Sequence, residues 1–236
     1  MNRIVRVTRL HLNKPQAMFS VPVQIVCAVL IMTAVISLVL QRGGLDPASP
    51  DFVDGARMNA GMIWALPGFL IYYGVQAVAT TYPFALALGA SRRAYVIGTA
   101  IANVILAAFI TVLMLTLLGI ELATNHWFAN IYALDVFLLG SGDPLVLAPT
   151  VFLLAFGAMS VGGYFGAIWV RFGNRGPTIS ALVLGLAIAI LLLVFVPYSQ
   201  EIIASVTGPV LAAVGLGISL LALLGTWLAM RRASVR

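Results

Sequence analysis

The sequence predicts an all-α integral membrane protein. It should have six transmembrane helices, cytoplasmic termini, an N-terminal interfacial elbow helix and a short cytoplasmic helix between spans two and three. Three observations predict this fold. Of 236 residues, 62% are apolar and 8% are charged, against roughly 25% charged in soluble domains. Six apolar runs of bilayer-crossing length cover residues 19–40, 60–82, 95–118, 145–170, 178–196 and 209–230, and none contains Asp, Glu, Lys, Arg or His. The charges between these runs also alternate. Eleven basic residues (Arg3, Arg6, Arg9, Lys14, Arg92, Arg93, Arg171, Arg175, Arg231, Arg232 and Arg236) share one set of segments with no acid. The opposite set holds Arg42 and Arg57 with all seven acids. Basic loops stay in the cytoplasm, so both termini are expected inside.

Residues 1–18 form the expected elbow. At 100° per residue, Ile4, Val5, Val7, Thr8, His11 and Leu12 fall in one sector, and Arg3, Arg6, Arg9, Asn13 and Lys14 in the other, with Leu10 the exception. This suits a helix lying on an anionic leaflet, with Pro15 turning the chain into the first span. That span is too long for a signal-peptide core and is expected to be retained. It carries the single cysteine, Cys27, which gives neither a disulfide framework nor a metal site. Residues 41–59 read as a polar outer turn region.

The second span, with Pro67 as a candidate bend, repeats Tyr72, Gln76 and Thr80 every four residues. The spacing places them on one helix face, with Tyr73 bordering it. Gln24 in the first span and Asn103 in the third are isolated amides. These six side chains either line a translocation cleft or hold helices together by hydrogen bonds. After the second span, Pro83 and the apolar stretch 84–88 precede Gly89, which permits a sharp turn, and then Arg92 and Arg93. This reads as a short helix with an apolar knob and a basic base, suited to a groove on a soluble partner. From the residues alone, a tight loop with two topology anchors is the favoured reading.

The third loop, 119–144, is the longest. Its stretch 125–139, with Trp127, Phe128 and Tyr132, suggests a short helix at the outer headgroup level. Gly162-x-x-x-Gly166 in the fourth span and Ala213-x-x-x-Gly217 in the sixth have small-residue spacing that permits close helix contact, within one chain or between two. The fifth loop is short, and residues 231–236 form a basic tail.

Several chemistries are excluded. The segment Asp51-Phe-Val-Asp54-Gly55-Ala56-Arg57 is similar to the carboxylate signature of membrane phosphatidyl-alcohol transferases. Two residues are missing from it, however, and the second carboxylate pair that would hold metal is absent. Ser160 has no nearby base for nucleophilic catalysis, since the histidines are His11 and His126. Zinc ligands do not cluster. The net charge of +6 flanks apolar runs instead of forming a patch, which points to membrane surface and not to nucleic acid. The spans lack the ionisable group usual at an ion-coupling site, and the chain lacks a phosphate-binding loop. No enzymatic activity and no bound cofactor are expected. Uphill movement would need work supplied by another polypeptide.

Phe84-x-Leu86-x-Leu88-Gly89-x-Ser91-Arg92-Arg93-x-Tyr95-x-x-Gly98 resembles the first cytoplasmic loop of type-two ATP-binding cassette exporter permeases. The basic elbow, the six spans and the short basic loop 171–177 are similar to that family over the whole chain. The resemblance implies a permease subunit that forms a translocation pathway. Its coupling helix, with Phe84, Leu86, Leu88, Gly89, Ser91, Arg92 and Arg93, would dock on a cytoplasmic ATPase subunit. ATP and magnesium would be bound by that partner. A second permease copy or homologue, membrane lipid and a bacterial plasma membrane are implied likewise. The chain departs from many members in its short fifth loop and enlarged third loop. A different reading is a non-transporting membrane scaffold or accessory subunit.

Overall fold

The structure, a computed structural model, describes residues 3–199 and 208–231. The six-residue basic tail beyond Met230 and most of the fifth loop, with Glu201, therefore lie outside the described residues, apart from Arg231. Helices are the regular structure of the described residues, with no strand among them. Six stretches among them are long and apolar enough to cross a membrane: Gln16–Arg42, Pro50–Ala87, Arg92–Ala123, Pro144–Phe172, Arg175–Tyr198 and Gly208–Arg231. Each contains the corresponding run expected from sequence.

The helices are α1 (Arg3–Leu12), α2 (Val21–Arg42, preceded by a π-helical turn), α3 (Pro50–Arg57), α4 (Gly61–Ala65) and α5 (Pro67–Ala79). Then come α6 (Thr81–Ala87), α7 (Arg92–Ala123), α8 (Pro144–Phe172), α9 (Arg175–Phe195) and α10 (Gly208–Arg231). The second span differs from the continuous helix expected over 60–82. It is built from α4, α5 and α6, with α3 leading in. Prolines explain the interruptions. Pro67 lacks an N–H, and α4 ends just before it. Pro83 can neither bond nor sterically tolerate the carbonyl four residues back, and that residue, Ala79, is the last of α5. At the other end Ser49 caps α3 by accepting from the Phe52 N–H at 3.3 Å, with Pro50 at the first helical position, where proline is favoured.

The described backbone divides into two compact units, one within Met1–Arg9, Ile71–Ile101 and Gly157–Arg236 as far as these are described, the other Leu10–Leu70 and Ala102–Phe156. In the first unit, α1 buries Val7 and Thr8 and leaves Arg3, Arg6 and Arg9 exposed, as the helical sectors require. The Thr8 hydroxyl donates to the Gly98 carbonyl at 3.2 Å. A Cβ at Gly98 would lie 2.7 Å from that of Val7, so glycine lets α1 seat against α7. Close approach also joins α5 to α8. A Cβ on Gly162 would stand 2.1 Å from the Ile71 carbonyl oxygen, and one on Gly166 2.7 Å from that of Val75. The Gly162-x-x-x-Gly166 spacing therefore works within one chain. At Gly217 an added Cβ meets nothing within 4 Å. On α10 it is Gly225 that makes a close contact, 2.8 Å from the Tyr164 ring.

In the second unit, Leu106, Ile110, Met114 and Leu118 on α7 are buried with Leu70, Leu134 and Leu147. Phe19 meets Phe109 edge-on at 4.9 Å. The stretch 125–139 does not form the short helix expected from its aromatic residues. Asn125, His126, Trp127 and Phe128 all have positive φ, between 49 and 61°, in the left-handed region that costs L-residues energy. A brief 3-10 turn, Phe137–Leu139, is its only regular helix. The physical reason is a set of buried charges that draws the loop inward, described below.

Candidate functional site

The segment expected to face a soluble partner is a compact helix–turn–helix junction. Helix α6 buries Tyr82 and Ala85 and leaves Phe84 and Leu88 more than half exposed, at 55% and 66%. Leu86 is half-buried. Gly89, at φ +80°, ends α6 with its N–H on the Leu86 carbonyl at 2.9 Å, and the next N–H, of Ala90, reaches the Ala85 carbonyl at 3.0 Å. This pair of bonds is the Schellman arrangement, which glycine favours because it lacks a Cβ. Ser91 then starts α7, its hydroxyl oxygen accepting from the Ala94 N–H at 3.2 Å, the geometry of an N-cap. Gly-x-Ser is thus a stop signal followed by a start signal.

Two arginines follow with different surroundings. The Arg92 guanidinium donates to the Met230 carbonyl at 3.3 Å and also to that of Arg231. It engages the last two carbonyls of α10 among the described residues. The Tyr82 hydroxyl donates to the same Met230 oxygen at 3.4 Å. The rings of Tyr82 and Tyr95 pack edge-on at 5.2 Å, and the Tyr95 hydroxyl donates to the Ala77 carbonyl. Arg93 is exposed. The junction is therefore held from below by α10 and the tyrosine pair, while Phe84, Leu88 and Arg93 project.

The polar side chains of the spans separate into two groups. Tyr72 and Gln76 share a face of α5, and Thr80 follows directly after its last residue. Tyr72 and Thr80 are exposed and Gln76 is half-buried. They form a linked row: Gln76 Nε2 donates to the Tyr72 hydroxyl at 3.3 Å, and Thr80 Oγ1 donates to the Gln76 carbonyl at 2.7 Å. Gln24 is also exposed. Tyr73 and Asn103 are buried, at 9% and 4% exposure, and Asn103 Oδ1 has no hydrogen-bond partner.

Sequence reasoning missed a buried ionic network in the second unit. Glu121, fully buried near the end of α7, accepts from the backbone N–H groups of Ala133, Leu134 and Asp135 at 2.9 to 3.1 Å. Asp135, itself 2% exposed, accepts from Arg57 at 2.7 Å and lies 2.9 Å from His126 Nε2. Arg57 also lies over the Tyr132 ring, 5.6 Å from its centroid, and His126 stacks on the same ring at 4.1 Å. Burial pushes the Tyr132 hydroxyl above its ordinary pKa, against the pull of Arg57. A carboxylate in a dry site needs charged donors or several N–H groups, and here each acid draws backbone or basic groups to itself. This is what bends 125–139 away from a helix. The left-handed turn is further tied by Gln41, whose Nε2 donates to the Ala129 carbonyl at 2.7 Å. A signal was present in the sequence: in a chain with few charges, Arg57, His126 and two acids fall in loops on the same expected side.

Beside this network, a pocket of about 480 Å³ opens between α2 and α3, bordered by Tyr132. No protein-family model, curated protein or solved structure matches the chain.

Proposed function

We propose that this chain is the membrane-spanning permease subunit of an ATP-driven exporter, coupled through α6 and the Gly89–Arg93 turn to a separate cytoplasmic ATPase. One observation carries the reading. Two large apolar side chains, Phe84 and Leu88, project beside Arg93 from a junction whose base is fixed by helix caps and by Arg92 on α10. Exposed apolar side chains on an element held by caps suit docking into an apolar groove, and a fixed element transmits force better than a loose loop. The residue pattern through Gly98 adds the resemblance to the exporter permeases.

In this reading the termini and the α6 junction face the cytoplasm of a plasma membrane, and α1 lies along the inner leaflet. Two permeases pair with two ATPases, which bind ATP and magnesium. The Tyr72–Gln76–Thr80 row, with Gln24, contributes polar surface along the path. The chain performs no bond chemistry itself. Its helices exchange between two packings that the partner's nucleotide state biases.

Co-purification from native membranes tests the proposal. A stoichiometric soluble subunit carrying a phosphate-binding loop is expected with the wild type. Phe84→Ser combined with Arg93→Glu should reduce its recovery about tenfold, a loss of ~1.4 kcal/mol in affinity, at unchanged membrane abundance. Undiminished recovery removes α6 as the docking element, and a partner lacking such a loop favours the scaffold reading.

A further inference from the structure

We propose that the pocket between α2 and α3 binds an amphipathic organic cation, its apolar body in the cavity and its charge at Asp51. The volume of about 480 Å³ lies within the ~300–1,000 Å³ of small-molecule sites. Every lining residue belongs to the second unit. Ile36 and Leu40 of α2, Leu45 and the buried Phe52 of α3 supply apolar wall.

Most polar atoms of the lining are already engaged with the protein. Ser37 Oγ donates to the Asn130 carbonyl at 3.3 Å, and Asn59 Nδ2 donates to Thr33 Oγ1 at 3.4 Å. Asn59 Oδ1 accepts from the Gly61 N–H at 2.8 Å, and Ser49 is spent on capping α3. Asp51 differs. It lines the same cavity, is exposed, and makes no ion pair among the described residues. The site therefore offers apolar volume and one uncommitted negative charge. The nearby positive charge, Arg57, is neutralised by Asp135 at 2.7 Å. An anion would meet Asp51 unfavourably, and a neutral apolar molecule would leave it unused. A bulky monocation satisfies both features.

The inference goes beyond the transport reading and needs no ATPase. Equilibrium dialysis of the purified, detergent-solubilised chain against radiolabelled tetraphenylphosphonium tests it, with uncharged triphenylphosphine oxide as competitor. Saturable binding is expected, with weak competition from the neutral compound. Asp51→Asn should weaken binding about tenfold, the order expected for one charge pair near a surface. Asp54→Asn, an exposed acid of α3 that does not line the pocket, should leave it unchanged. Gly55 lines the cavity and a Cβ there meets nothing within 4 Å, so Gly55→Leu should fill the space and abolish binding while α3 stays folded. Unchanged affinity in Asp51→Asn or Gly55→Leu overturns the proposal. So does the absence of saturable binding. Equal competition by the phosphine oxide also overturns it, leaving a cavity that suits any apolar body, a lipid acyl chain included.

Discussion

Arg92 stands in the first turn of α7, where the helix dipole disfavours a cation, and turns its guanidinium onto the carbonyls that end α10. Arg93, next in sequence, is exposed. A charge-reversing change should therefore separate them. Arg92→Glu sets a carboxylate against carbonyl oxygens and is expected to cost about 1 kcal/mol, allowing for its exposure. Arg93→Glu should stay within about 0.5 kcal/mol of wild type. Thermal unfolding of the two variants in detergent measures the difference, and equal melting temperatures would remove the structural role of Arg92. His11 gives a pH-dependent counterpart. It is buried, and burial, with Lys14 adding to it, lowers its imidazole from 6.5 to about 4. Between those values the unfolded chain binds the proton and the folded one does not, so stability rises with pH. It is fully present above about 6.5 and is lost as pH falls towards 4, by roughly 3 kcal/mol at most. Unfolding followed from pH 8 to pH 4 should show this slope in the wild type and a flatter one in His11→Gln. Parallel profiles would mean that His11 is not held neutral by the fold.

The contact between α5 and α8 relies on having no side chain at three positions. Added Cβ atoms at Gly74, Gly162 and Gly166 would sit 2.2, 2.1 and 2.7 Å from carbonyl oxygens of the facing helix, far inside van der Waals contact. Backbone cannot yield as a side chain tip does, so the helices must part. Gly162→Ala is expected to lose about 2–3 kcal/mol, whereas Gly217→Ala, with open space around it, should be neutral or slightly stabilising through helix propensity. Denaturant titration of the pair decides it, and a tolerated alanine at Gly162 would show that the two helices are not in close contact. The same helices show what was legible in the sequence. Small-residue spacing marks Gly162 and Gly166 correctly, because close packing in lipid has few other solutions. At the identical spacing of Ala213 and Gly217, a Cβ added at Gly217 meets nothing within 4 Å, so spacing alone does not choose a partner. The junction after α6 was readable because Gly89 and Ser91 act on their immediate neighbours. The network around Asp135 was not, since Arg57 and Asp135 are 78 residues apart in sequence and aromatic content suggested a helix where buried carboxylates impose a left-handed turn.

The charge distribution and the helices together set how the whole chain meets the bilayer. Residues 181–195 of α9 are all exposed among the described residues, which costs nothing where lipid tails are as apolar as leucine. Moving a charge to the bilayer centre costs about 3 kcal/mol on insertion scales, so the ionisable groups gather towards and beyond the ends of the apolar runs. The coupling proposal takes its orientation from eleven basic residues in one alternating set against two in the other, with residues 83–94 expected inside and residues 41–59 outside. The lone cysteine makes this testable. In a Cys27→Ser background, Ala48→Cys, exposed before α3, and Ser91→Cys, exposed after α6, report on opposite faces. A membrane-impermeant maleimide applied to intact cells should label the cysteine at 48 at once and that at 91 only after permeabilisation. The reverse pattern would place Phe84, Leu88 and Arg93 beyond reach of any cytoplasmic ATPase, and the coupling proposal would fall with it. The binding proposal at Asp51 would survive, because that site is defined within the second unit and not by the side of the membrane it faces.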